Sequence, residues 1–272
     1  MALNLNLKDS EAKVARARIH LETLQGEIGP SVSKGNLYSY RVGEVDKDGW
    51  CRIYMTPHKI GESELGIIVG DIVHNLRCAL DYIISALVNA SPGATLSNKH
   101  QFPIHVDEGE YRRLVGDKSS VSSKNSPLYG IISAGLEEVW NRQPFHRQPY
   151  PVDEPTYFVR VLSNADKHRV IASAIPQDID RAIELVHDGR IVEAVDSWFG
   201  SEWKADEERE VKRVCFERPY PAKIDLKGDV TVMVQFTTPP FLKDHLRNPV
   251  RPDTLNAMCD YVAAIVERFK AI

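Results

Sequence analysis

From Glu62 to Asn89 the chain runs without a proline, and apolar residues return every three or four positions. At about 100° per residue, Leu65, Ile68, Val69, Ile72, Val73, Leu76, Leu80, Ile83, Ile84 and Leu87 share one broad arc. That period excludes a strand and predicts a long helix, closed by Ser91-Pro92-Gly93. Asp71, His74, Arg77 and Asp81 interrupt the run, which argues against a membrane span. A helix this apolar on one side needs the rest of the chain as its cover.

The flanking sequence supplies candidates. Ser10 to Gln25 reads as an amphipathic helix with Val14, Ala17, Leu21 and Leu24 on one stripe and Gly26 as its stop. Leu37–Val45 and Trp50–Met55 flank Asp46-Lys47-Asp48-Gly49, a hairpin signal. Ala182–His187 and Ile191–Val195 flank Asp188-Gly189, a second such signal. Val211–Phe216 and Val230–Phe236 add strands, with Lys227-Gly228-Asp229 as a turn. His100–Val106 is expected to be extended and Asp117–Pro127 to be a mobile surface loop. Helices are expected over Leu128–Arg142, from an Asp153 cap and Pro155 to about Ala174, and over Leu255–Phe269. Without repeats or a linker, this predicts one α+β domain over residues 1–272: a bundle-like helical core around the long helix, with antiparallel hairpins beside it.

Composition narrows the function classes. Of 272 residues 43% are apolar and 26% charged, as in a folded globular protein. With 34 Lys plus Arg against 38 Asp plus Glu, the net charge of −4 excludes a globally basic nucleic-acid coat. Cys51, Cys78, Cys215 and Cys259 form no CxxC pair, which argues against a zinc ribbon or disulfide framework and favours a reducing cytoplasm. Met1–Arg18 holds no apolar core before a cleavage-like site, so neither a signal peptide nor a membrane partner is expected. HExxH, GxSxG, the P-loop and a strand-linked GxGxxG are all missing, and no cofactor is expected.

Opposite the apolar arc of the long helix lie Asp71, His74, Asn75, Arg77, Cys78, Asp81, Tyr82 and Ser85. This arc holds no Lys or Glu, the usual occupants of a freely solvated face. It reads either as a hydrogen-bonded seam against another element or as the wall of a site. Arg77 and Asp81, at i and i+4, form at the least an ordinary helix ion pair. A second polar segment contains Asn164, Asp166, Lys167, His168 and Arg169, following the ridge Tyr157, Phe158, Val161 and Leu162. Asn164 and His168 can face one way; the plain alternative is a cationic helix end. Asn141–Tyr150 mixes basic and aromatic residues but reads first as a proline-stiffened connection. His58, His100 and His105 lack ligand spacing, and Arg112 and Arg113 read as a solvated face.

Gly70-Asp71-x-x-His74-Asn75-Leu76-Arg77-x-x-Leu80-Asp81, followed by Asn164-x-Asp166-Lys167-His168-Arg169, resembles a group of bacterial proteins of uncharacterised activity. That group pairs an HNLRxxLD helix with a DKHR segment. A looser similarity is to the HEPN superfamily, helical proteins that include metal-independent ribonucleases. Their hallmark is Arg, four to six residues, then His; here Arg77 is followed after four residues by Tyr82.

Two functional expectations follow. In a HEPN-like, RNA- or nucleotide-directed site, His74 and His168 would be base and acid and Arg77 would hold phosphate, the three catalytic candidates. Asn75, Asn164, Lys167 and Arg169 would bind substrate, while Asp71, Asp81, Tyr82 and Asp166 would form the supporting network. In a non-enzymatic binding or assembly protein, the same residues hold helices in register. A metal site built from His74, Asp71 or Asp81, Asp166 and His168 ranks behind both for want of ligand spacing, so none is expected. The seam also predicts a homodimer, with Arg77 of one chain near Asp81 or Asp71 of the other.

Overall fold

The computed structural model describes residues 3, 5–33, 38–57, 62–146, 154–167, 174–180, 184–196, 207–227, 231–236 and 251–272. It is α+β. Among these residues six helices accompany antiparallel strands, and contacts group the chain into two compact units. The first comprises Met1–Leu24, Gly66–Ala172 and Thr238–Ile272; the second comprises Gln25–Leu65 and Ser173–Thr237. No described helix is long and apolar enough to cross a membrane.

The helical unit is organised on α2 (Glu62–Ala90). Its expected arc is buried: Ile72, Val73, Leu76, Leu80, Ile83, Ile84 and Leu87 have no exposed surface, although Ile68 is only half-buried. Val14, Ala17, Leu21 and Leu24 of α1 (Lys8–Ser33) are buried as one stripe. Helix α1 does not stop at Gly26, because a lone glycine costs only about 1 kcal/mol in a helix interior and weakens it without ending it. Leu255, Met258, Cys259, Val262, Ile265, Val266 and Phe269 form the buried stripe of the last helix, α6 (Pro252–Phe269), and Phe269 meets Phe102 edge-on.

Between α2 and α6 the sequence reading needs amendment. His100–Val106 runs without regular secondary structure, and a helix the periodicity did not show, α3 (Glu108–Leu114), follows it. Only seven residues long, α3 gives too few turns for a pattern, but Asp107 caps it by accepting from the Glu110 amide at 2.6 Å. Helix α4 (Ser133–Asn141) begins later than expected, after a turn in which the buried Ser91 hydroxyl accepts from the Ile132 amide at 3.1 Å and donates to Leu87 O at 2.7 Å. Gly135 lets α4 lie directly on α2, since a Cβ there would come within 2.8 Å of Leu87 Cδ2 and 2.9 Å of Ile131 Cγ2. One 3₁₀ turn (Pro144–His146) then stacks Phe145 against Trp140 and Tyr111. Helix α5 (Pro155–Lys167) ends short of Ala174, where strand β3 starts. Its capping carboxylate is that of buried Glu154, which accepts from the Thr156 amide at 2.8 Å; Asp153 lies outside the described residues.

In the other unit, β1 (Tyr38–Val42) and β2 (Trp50–Pro57) form the expected hairpin. Asp46 Oδ1 accepts from the amides of Asp48 and Trp50 at 2.9 and 3.0 Å. Gly49 adopts φ of 90°, and any Cβ on it would lie 2.6 Å from Phe216 O. The second expected hairpin does not form. Across Asp188-Gly189, β4 (Glu184–His187) pairs with β7 (Ile224–Lys227), whereas β5 (Ile191–Asp196) pairs with β6 (Arg209–Phe216). A local turn signal specifies a reversal but not the partner strand. The main sheet runs β1-β2-β6-β5, and β3 (Ala174–Asp180) forms a separate ladder with β8 (Thr231–Phe236). Cys51, Val214 and Phe216 centre the core, with Leu185, Ile191 and Ile224 packed on them.

Candidate functional site

The polar arc of α2 separates into a buried lock and an exposed edge. Asn75 is only 7% exposed. Its amide donates to Asp71 O at 2.7 Å, one turn back, and its carbonyl accepts from Lys13 Nζ of α1 at 3.3 Å. Two residues on, the Arg77 guanidinium grips Asp81 as a fork: Nε donates to Oδ2 at 3.2 Å and a terminal nitrogen reaches Oδ1 at 2.9 Å. The two side chains are 14% and 27% exposed. Asp81 Oδ1 also accepts from the Phe102 amide at 2.9 Å, across 21 positions of chain. One carboxylate therefore anchors both the arginine of its own helix and the irregular segment that brings Phe102 into the core.

The exposed edge carries Asp71, His74 and Tyr82. His74 Nε2 lies 3.5 Å from Cys78 Sγ, on the next turn. Tyr82 and half-buried Ser85 border a recess of about 210 Å³ with Asn6, Asp9 and Asn89. The structure thus joins Arg77 to Asp81, and Asn75 to the Asp71 backbone, while His74 faces Cys78. Asn164 is exposed on α5. Asp166 and Lys167 belong to the last turn of that helix, with side chains outside the described set, and His168 and Arg169 lie outside the described residues, as does His58.

A second polar cluster escaped the sequence reading. His105 Nδ1 lies 3.1 Å from Glu110 Oε2 of α3, and the His105 amide donates to Gln143 Oε1 at 3.1 Å. Burial pushes the imidazole below its ordinary value against the opposing pull of Glu110, and Arg160 adds to the lowering. The hydrogen bond from His105 in turn holds Glu110 below the usual glutamate value. Arg160 itself donates to Ile104 O. Asp107 three residues before Glu110 was the available signal: a cap there turns Glu110 back toward His105. Arg112, expected on a solvated face, pairs with Glu108 at 2.9 Å and lies over the Trp140 ring at 4.6 Å.

Among the described residues no three His, Cys, Asp or Glu side chains converge as a metal site would require. The chain matches no protein-family model, no curated protein and no solved structure.

Proposed function

We propose that the chain is a non-enzymatic binding or assembly protein, in which the α2 seam is a structural lock. What carries this reading is the engagement of Asp81, which accepts the Arg77 fork and the Phe102 amide together. An arginine whose fork is filled by a carboxylate inside its own helix offers no ready grip on phosphate. Arg77→Ala should therefore destabilise the protein by about 2–3 kcal/mol, since it strips the partner from a mostly buried charge. A thermal melt of the variant indistinguishable from wild type would sink the lock.

A second reading, the HEPN-like RNA- or nucleotide-directed site, draws support from exposed His74 one turn from the fork. Arg77 would then exchange Asp81 for a phosphate, with His74 as base. Cleavage of a mixed RNA pool by wild type in chelator, lost in a folded Arg77→Ala variant, would favour it over the lock. A homodimer belongs with the assembly reading, although Arg77 and Asp81 already satisfy each other within one chain. Sedimentation at micromolar concentration tests it, a 30.7 kDa species throughout being the contrary result. The cytoplasm suits four cysteines that form no disulfide.

A further inference from the structure

The four cysteines sit in four different surroundings. Cys51 and Cys259 are buried, and burial raises both thiols, Cys259 to about 11. Cys215 is half-buried, and its thiol points to a carbonyl, Asp48 O, at 3.7 Å. Among the described residues, Cys78 is the cysteine with an imidazole in contact: half-buried on α2, its sulfur lies 3.5 Å from Nε2 of exposed His74. The i,i+4 spacing in mid-helix fixes this approach, because residues four apart stand one above the other on a helix face. An imidazole in contact with a thiol accepts its proton and stabilises the thiolate as an ion pair, and the thiolate is the reactive form.

We propose that Cys78 is an oxidisable thiol activated by His74, with hydroperoxides as the substrate class. His74 takes the thiol proton, and the Cys78 sulfur attacks one peroxide oxygen. The S–O bond forms as the O–O bond breaks. Sulfur loses two electrons and becomes sulfenic acid, the peroxide is reduced, and the departing hydroxide (alkoxide from an organic hydroperoxide) recovers the proton from His74 as water (or alcohol). Along this face the charged groups among the described residues include Asp71, Arg77 and Asp81 of α2, together with Lys13, which α1 brings to Asn75. Arg77 and Asp81 are paired with each other, and Lys13 is bonded to Asn75. The proposal requires only that α2 be folded, so it stands or falls separately from the lock.

Full-length protein treated with hydrogen peroxide at pH 6.5 and trapped with dimedone, then read peptide by peptide by mass spectrometry, tests it. Cys78 should form its adduct at least about tenfold faster than Cys215 in the same molecule. His74→Gln, which removes the base from an exposed position, should slow Cys78 about tenfold and leave Cys215 unchanged. If His74→Gln lowers the melting temperature, His74→Asn replaces it. Oxidation of Cys78 no faster than Cys215, or at the wild-type rate without the imidazole, overturns the proposal.

Discussion

Two arginine–carboxylate forks of nearly the same geometry occur in the two units. In the sheet, Arg41 of β1 donates through Nε and a terminal nitrogen to Glu208 at 2.8 and 2.6 Å. In the helical unit, Arg77 and Asp81 do the same at 3.2 and 2.9 Å. By distance alone the Arg41 fork is the tighter. Its side chains, however, are 54% and 41% exposed, against 14% and 27% for the other. Water competes for the first and is largely excluded from the second, and among the described residues the second alone holds a distant backbone amide. Burial and the third bond, rather than length, decide which fork the fold depends on.

The comparison can be broken most directly at Asp81. Asp81→Ala removes the acceptor for both Arg77 and the Phe102 amide, and we expect a loss of about 3 kcal/mol. In a thermal melt that corresponds to roughly 6–12 °C; a shift as small as that of an exposed-fork variant would erase the distinction.

Glu154 asks what burial does to a carboxylate held by hydroxyls and amides. Burial raises its pKa, against hydrogen bonds from Thr156 and Tyr261 that lower it. The folded state therefore binds more protons than the unfolded one from the ordinary glutamate value, about 4.3, up to the raised native value. Stability should fall as pH rises across that window. Glu154→Gln, which keeps an oxygen for the α5 amides, should flatten this dependence, as urea midpoints at several pH values would show.

His105 tests the same effect on a base. Its NMR titration midpoint should lie below about 6.5, and Glu110→Gln should move it lower still by removing the opposing influence. The sign of the stability effect is opposite to that of Glu154: the folded state binds fewer protons, so stability is lost as pH falls through about 6.5 toward the native value. The smallest effect belongs to the exposed fork. Arg41→Ala should leave the melting temperature within about 1 °C.

These contrasts also mark what the sequence could reveal. The buried arc of α2 was legible because a helical period persists over 29 residues, and so was the α6 stripe. The β1–β2 turn was legible because Asp46 and Gly49 are demanded locally. Strand partners across Asp188-Gly189 were not, since pairing is settled by the rest of the sheet. In the candidate site, the Arg77–Asp81 pair could be read from spacing, but the Phe102 amide could not, because nothing local at Phe102 announces a distant acceptor. Lys13 was hidden likewise: it reaches Asn75 across 62 positions of chain.

The contact of Gly135 with Leu87 bears on how such a chain can drift over generations. Ser133, Ala134 and Glu137 of α4 are exposed, whereas a methyl added at position 135 would press on Leu87 and Ile131 together. An alanine there requires both neighbours to give way, Leu87 on α2 and Ile131 just ahead of α4. Descendants of this chain that carry a larger residue at 135 should therefore also carry changes at 87 and 131.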